Sequence, residues 1–173
     1  MLDTTLEASL TIPRPPADVH AFMTTPDNWA AASPLTESIR GENTDRPATL
    51  GTTFVDVLRL GEAAMTVEVE WTVTRDEPGI TWQIATDPPA SSDPADGRVH
   101  VTLTYAYADS PLGTGSTLLT RVVRATYPGS APLPLAYRDT FTNQAAANHF
   151  LAAMRDTMLA RPRGMSTAIP RQG

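Results

Sequence analysis

The sequence predicts an α+β fold in which an antiparallel sheet of about seven strands packs against a long carboxy-terminal helix. Three observations carry this prediction. Segments that alternate apolar and polar residues recur along the chain, a proline-rich stretch interrupts them near the start, and residues 135–160 contain neither proline nor glycine. Alternation with period two is typical of half-buried strands, whereas a long run without breakers favours a helix.

The first element is a strand at residues 4–12, where apolar and polar residues alternate. The prolines that follow end this strand because proline lacks the N–H that a sheet requires, while the first turn of a helix tolerates it. Residues 17–25 and 27–32 are then predicted to form two short helices on either side of Pro26. The chain therefore begins with a strand and two short helices.

Six further strands are predicted, each bounded by turn signals, at residues 35–41, 52–60, 64–75, 80–85, 98–108 and 117–127. Gly61 with Glu62 predicts a tight hairpin. The stretch 87–97 is rich in proline, serine and aspartate and is predicted to be a loop.

A long helix over residues 135–160 completes the predicted fold, and Pro162 and Gly164 mark its end. We expect a single domain over residues 1–161 and a disordered tail at residues 162–173.

Composition excludes several classes of function. The chain has no cysteine, all 13 of its basic residues are arginine, and its formal net charge is −6. A disulfide framework, a cysteine-ligated metal and lysine Schiff-base chemistry are thus excluded, and no basic stripe suits nucleic acid.

No run approaches the roughly 20 apolar residues of a membrane span, and no secretory signal opens the chain. We expect a cytoplasmic protein, monomeric or homodimeric.

Four stretches carry a family resemblance: IPRPPADVHAFMTTPDNWAAASP, LGTTFVDV, DEPGITWQI and YAYADSPLGTGSTLLT. In this order they resemble the Bet v 1/START-like helix-grip superfamily, in particular its polyketide cyclase/dehydrase and lipid-transport group. The resemblance covers about residues 4–160. It implies a strongly curved sheet that grips the carboxy-terminal helix around a cavity for an apolar small molecule. These motifs specify the scaffold and assign no reaction.

Strand alternation predicts which side chains face that cavity. The glutamates of the strand at 64–75 are predicted to face water. The inward set comprises Met65, Val67, Val69, Trp71 and Val73, then Ile80, Trp82 and Ile84, then Val99, Val101, Leu103, Tyr105 and Tyr107.

The same alternation places Asp56 inward together with Phe54. A carboxylate in an apolar cavity needs a partner, or its pKa rises and it becomes a candidate proton donor or acceptor. The alternative is that Asp56 lies at a solvated cavity mouth. Either Arg121 or Arg124 faces inward, because the two differ by an odd number of positions; we favour Arg124 as a partner for Asp56 or for a ligand carbonyl.

The predicted catalytic residues are therefore Asp56, Tyr105, Tyr107 and Arg124. A buried phenol can hold a ligand carbonyl, although core packing is an alternative for both tyrosines. Helical phasing adds an apolar arc on the last helix, with polar residues toward its amino end. The predicted substrate-binding residues are Phe54, Met65, Val67, Trp71, Trp82, Leu103, Asn143, Gln144, Phe150 and Met154.

The three histidines are predicted to point away from the cavity. His20 lies on the far side of its helix from Phe22, His100 lies on the opposite strand face from Val99, and His149 faces away from the sheet. We therefore expect His20 at the surface, and neither a metal site nor a histidine-based triad is predicted.

These residues and the resemblance together predict a protein that binds a hydrophobic, oxygenated small molecule. We expect an enzyme, a cyclase or dehydratase of secondary metabolism that needs no cofactor, because acid–base groups in a shaped cavity suffice for such chemistry. The alternative is a carrier for a lipid or another apolar ligand.

Overall fold

The structure is a computed structural model that describes residues 2–60, 65–86, 97–113 and 115–161. The elements are β1 (Leu2–Ile12), α1 (Pro16–Met23), α2 (Asp27–Ala32), β2 (Thr36–Arg40), β3 (Thr53–Leu60), β4 (Met65–Glu77), β5 (Thr81–Thr86), β6 (His100–Asp109), β7 (Thr117–Tyr127), α3 (Leu135–Asp139) and α4 (Gln144–Leu159). The predicted hairpin at Gly61 and Glu62, nearly all of the loop at 87–97 and the tail at 162–173 lie outside the described residues.

In the described part of the chain, seven strands form one curved antiparallel sheet in the order β1-β7-β6-β5-β4-β3-β2. The strands β1 and β2, although consecutive along the chain, thus lie at opposite edges. Helices α1 and α2 span the gap between these edges, and α4 packs mainly against β1 on the inner face of the sheet. The predicted helix-grip architecture is confirmed.

Proline positions explain the two short helices. Pro16 occupies the first turn of α1, and Pro26 is the N-cap residue of α2, where Asp27 lies in the first turn. Trp29 of α2 is buried at the centre of an aromatic cluster, with its ring 5.6 Å from that of Phe54 and 6.1 Å from that of Trp82. Its indole N–H donates to the Met23 carbonyl at 2.8 Å, so the two helices are locked together.

The prediction of one helix over residues 135–160 is wrong. A break at residues 140–143 separates α3 from α4, and the Asn143 side chain accepts a hydrogen bond from the Ala146 N–H at 3.1 Å. Asparagine is a favourable N-cap residue because its side-chain oxygen accepts a hydrogen bond from a backbone N–H of the first helical turn. A helix can thus begin here without a proline or glycine to mark it.

The predicted division of inner and outer faces is confirmed for most strand residues. Trp82 and Ile84 are fully buried, and the predicted inward residues of β6 are buried, while Glu68 and Glu70 are exposed. Ile80 is the exception. It is 62 % exposed because β5 begins only at Thr81, which leaves Ile80 in the turn.

Candidate functional site

A cavity of about 350 Å³ lies between the inner face of the sheet, α2 and the α3–α4 junction. Its size is at the lower end of the roughly 300–1,000 Å³ of small-molecule sites. Most of its wall is apolar, formed by Trp29, Leu58, Val69, Trp71, Val99, Val101, Leu103, Val123, Phe141 and Phe150. Polar side chains at the wall include Thr36, Asp56, Tyr105, Arg121 and Thr140.

Asp56 is held inside by the alternation of β3, which buries Phe54 and Asp56 on the same face. Only 4 % of Asp56 is exposed, and its Oδ1 has no hydrogen-bond partner among the described residues. Burial raises the pKa of Asp56 to about 7, although the neighbouring Thr36 and Trp71 side chains and the charge of Arg121 oppose the rise. Near neutral pH, both the protonated and the ionised form of this carboxyl are therefore populated.

Arg121 brings a positive charge to the same cavity. Its Nε donates to the Tyr105 hydroxyl oxygen at 3.2 Å, and its Cζ lies 4.5 Å from the centre of the Phe150 ring. Burial raises the pKa of Tyr105, against the opposing effect of Arg121, so the phenol stays neutral. The hydrogen bond and the ring together fix the plane of the guanidinium.

The prediction that Arg124 faces the cavity is wrong, because Arg124 is exposed on the outer face of β7. The pairing of β7 with β1 sets these faces. Arg121 lies opposite Ala8, and Val123 lies opposite Leu6, and both β1 residues are buried. The inward face of β7 is therefore the one that carries Leu119, Arg121 and Val123.

Tyr107 is buried on the inner face, as predicted, but it does not line the cavity. It lies beneath α1 with its ring 5.1 Å from that of His20, and its hydroxyl has no partner among the described residues. Burial raises the pKa of Tyr107 well above its ordinary value. Its predicted place at the site is wrong, although its predicted face is right.

The prediction that His20 lies at the surface is also wrong. Only 7 % of His20 is exposed, and its Nε2 lies 3.2 Å from Asp76 Oδ1. A register shift between Val73 and Arg75 turns Asp76 inward, opposite the buried Trp82, and so provides this partner. Burial lowers the pKa of His20 despite the adjacent carboxylate.

The other two histidines differ from each other. His100 is buried, with 4 % of its surface exposed, whereas His149 is exposed. As expected, none of the three lines the cavity.

Of the ten predicted substrate-binding residues, Trp71, Leu103 and Phe150 line the cavity. Three others, Phe54, Trp82 and Met154, are packed in the core, and Met65 and Val67 are partly buried outside the cavity wall. Asn143 caps α4, and Gln144 donates to the Glu7 carbonyl at 2.8 Å, so neither supplies a polar contact at the cavity. The substrate-binding roles of Trp71, Leu103 and Phe150 stay predictions.

Sequence reasoning missed several wall residues. Thr36 and Phe141 reach the cavity from the start of β2 and from the helix break, where no periodic pattern points to an inner face. Arg121 was one of two open alternatives, and only the pairing with β1 decides between them.

Within the described residues, no group of three or more histidine, aspartate and glutamate side chains could hold a metal ion. The chemistry that the cavity can support on its own residues is proton transfer by Asp56 and stabilisation of negative charge by Arg121.

The polyketide cyclase/dehydrase and lipid transport family matches residues 3–161 of this sequence. The chain belongs to this family. No curated protein matches it in sequence.

Solved structures of low sequence identity share the helix-grip fold of this family member. A START superfamily protein from Mycobacterium smegmatis is 11% identical, with 91% of this chain and 98% of that chain covered and a TM-score of 0.64. Ara h 8.0201 is 18% identical, with coverage of 92% and 100% and a TM-score of 0.61. A protein from Thermus thermophilus is 14% identical, with coverage of 90% and 97% and a TM-score of 0.64.

This family member has no helix, within the described ranges, that is both long and apolar enough to cross a membrane. Its membership of the family supports binding of a hydrophobic ligand.

Proposed function

We propose that this protein binds a hydrophobic, oxygenated small molecule in the cavity and acts on it as a cyclase or dehydratase of polyketide-type metabolism that needs no cofactor. One observation carries the proposal: Asp56, whose pKa is raised to about 7, shares an apolar cavity with the guanidinium of Arg121. General acid–base catalysis is most effective when the catalytic pKa lies near the working pH. We expect the protein to act in the cytoplasm, as a monomer or homodimer.

The proposed dehydration uses these two residues on a β-hydroxy ketone. The Asp56 carboxylate removes a proton from the carbon between the carbonyl and the hydroxyl-bearing carbon, and the resulting enolate oxygen receives hydrogen bonds from Arg121. Asp56 then returns this proton to the leaving hydroxyl as the C–O bond breaks, and the carbonyl reforms. The products are an enone and one water, with no oxidation or reduction.

Cyclisation needs the same two groups. The enolate carbon attacks a second carbonyl in the same molecule, a C–C bond forms, and the new alkoxide takes the proton that Asp56 holds. The apolar wall serves to fold the chain so that the two carbons meet. Tyr105 acts as a positioning residue, because its hydroxyl accepts from Arg121 Nε.

The experiment follows loss of water from 3-hydroxy-1,3-diphenylpropan-1-one, whose enone product absorbs in the near ultraviolet. We expect Asp56→Asn to lower kcat/KM by about 10²–10⁴-fold, because asparagine cannot transfer the proton. Arg121→Gln should lower it by about 10²–10³-fold, as removal of an oxyanion donor does. Arg124→Gln, on the outer face of the same strand, is the matched control and should leave the rate unchanged.

Catalysis by these residues is contradicted if Asp56→Asn and Arg121→Gln turn the ketone over at the wild-type rate. The alternative is a carrier, which the mainly apolar wall and the lipid-transport members of the family favour. Mass spectrometry of the ligand that co-purifies with the native chain separates the two. A compound that stays unchanged on incubation with fresh protein indicates a carrier.

A further inference from the structure

Arg121 forms no ion pair with the described residues that line the cavity. Arg121 is partly buried, and its described contacts are the Tyr105 hydroxyl and the Phe150 ring, neither of which is negative. The glutamates that border the cavity are exposed, and Glu68 pairs with Arg40 at 2.6 Å. Asp56 is thus the one buried carboxyl among the described residues that line the cavity.

Asp56 does not neutralise Arg121. The two form no ion pair within 4.0 Å, and burial favours the uncharged form of the carboxyl, whose pKa is about 7. Below neutral pH most of the Asp56 carboxyl is therefore uncharged. Among the described residues that line the cavity, Arg121 is then the partly buried charge, because Arg98, Glu68 and Glu70 are exposed. A partly desolvated cation without an opposite charge costs free energy that a bound anion recovers.

The guanidinium is also shaped for one kind of anion. Of its five N–H donors, the one on Nε is used by Tyr105, and the four on the terminal nitrogens make no described hydrogen bond. Those terminal donors form a planar fork that matches the two oxygens of a carboxylate. Since Tyr105 and Phe150 hold the plane fixed, a ligand need not order this side chain.

We propose that the cavity selects apolar molecules that carry a carboxylate and that the terminal nitrogens of Arg121 bind this carboxylate. The apolar part of such a molecule would pack against the valines and aromatic rings of the wall. This inference rests on the ligand-binding part of the proposed function, and it holds whether the bound molecule is turned over or only carried.

The test compares 4-phenylbutanoate with 4-phenylbutanamide, two probes of nearly equal shape that differ in charge, by titration calorimetry on the full chain at a pH below neutral. We expect the carboxylate to bind at least about tenfold more tightly than the amide, as charge-assisted hydrogen bonds predict. In Arg121→Gln this preference should fall to within about twofold, while the amide affinity stays within about threefold. Arg124→Gln should keep the full preference.

Equal binding of the two probes by the wild type, or a preference that survives in Arg121→Gln, overturns the inference and leaves the proposed ligand binding intact. Failure of both probes to bind overturns the inference together with the proposed binding of such ligands. If circular dichroism shows that Arg121→Gln is unfolded, Arg121→Lys replaces it. Lysine keeps the charge but loses the fork, so the preference should fall at least about twofold, and an unchanged preference contradicts the inference.

Discussion

Asp56 is the residue on which the chemistry of this cavity depends. Strand alternation alone places it inward, and the structure confirms that the carboxyl is buried, with one oxygen lacking a partner among the described residues. An apolar side chain of similar size would pack there at lower cost. A buried carboxyl that shifts its pKa toward neutrality is typical of sites selected for function rather than for stability.

The raised pKa of Asp56 predicts how stability depends on pH. The unfolded chain ionises this carboxyl near its ordinary value of about 3.9, but the folded chain does so only near 7, so folding loses stability as pH rises through this window. The difference between these two pKa values corresponds to a loss of at most about 4 kcal/mol. Urea unfolding at about pH 5 and pH 8 measures the part of this loss that falls between those two pH values.

Asp56→Asn is the matched variant for this measurement because it keeps the shape and removes the titration. It should lose less stability than the wild type between the two pH values, while the contribution of His20 stays equal in both. His20 acts in the opposite direction, since its lowered pKa makes stability fall as pH decreases below its ordinary value. An identical pH dependence in the two proteins would show that Asp56 ionises normally.

The arginines of β7 show where sequence reasoning stops at the level of residues. One face of this strand carries Leu118 and Val122, and the other carries Leu119 and Val123, so neither face is clearly the more apolar. The choice between Arg121 and Arg124 therefore depends on pairing with β1, a contact more than 100 positions distant in sequence. Local alternation predicts that one of them faces inward, but it contains no information on which.

The prediction that His20 lies at the surface is wrong for a related reason. Its helix phase puts it away from Phe22, but it is covered by Tyr107 and by Asp76, which a strand irregularity turns inward. Helical phasing describes one helix alone and cannot anticipate a partner supplied by a distant strand.

Among the elements, the strands and the two short helices follow from alternation and proline positions, whereas the break between α3 and α4 does not. Residues 140–143 have ordinary helix propensities, and the new helix begins because Asn143 caps it. The break matters for the site because Thr140 and Phe141 reach the cavity there.

We expect Asn143→Ala to destabilise the protein by about 1 kcal/mol, because the Ala146 N–H loses its acceptor. Asn143→Asp should restore the cap and keep nearly the full stability, since aspartate is an equally good N-cap residue. Chemical denaturation of the three proteins measures these differences. Equal stability of the alanine variant and the wild type would mean that the cap does not hold the start of α4.

In the whole molecule, Arg161, which follows the end of α4, connects this helix to α1 and α2 by hydrogen bonds and a ring contact. Its Nη2 donates to Asn28 Oδ1 at 2.9 Å, its guanidinium lies 4.8 Å from the Phe22 ring, and its carbonyl accepts from Arg14 at 3.2 Å. These contacts join the last helix to α1, α2 and the β1–α1 connection. They help to hold α4 against the sheet that forms the cavity.

Arg161→Ala should therefore destabilise the fold by about 1–3 kcal/mol, because it removes a charge-assisted hydrogen bond to the buried Asn28 as well as the ring contact. Arg155→Ala is the control, since Arg155 is only partly buried and pairs with its exposed neighbour Asp156; it should change stability by less than about 0.5 kcal/mol. Thermal unfolding of both variants measures the difference. If both variants lose equally little stability, Arg161 does not hold α4 in place.

For the whole molecule, the sequence predicts the architecture well and the cavity only in part. Alternation separates inner from outer faces, and so it finds Asp56, Trp71 and Leu103. Alternation does not show which inward residues lie at the cavity and which lie under a helix. Phe54 and Trp82 face inward, but they pack against Trp29 of α2 and do not line the cavity wall. Which inward residues line the cavity depends on where the helices cover the sheet, and the helix positions are set only in the folded protein.

The acid–base role of Asp56 can be tested by an NMR pH titration of the side-chain carboxyl carbons, with Asp56→Asn used to assign the Asp56 signal. We predict a titration midpoint of about 7 for Asp56 in the ligand-free protein. A midpoint near the ordinary aspartate value of about 3.9 would contradict the account, because the carboxyl would then be a fully ionised partner of Arg121 and no proton donor near neutral pH.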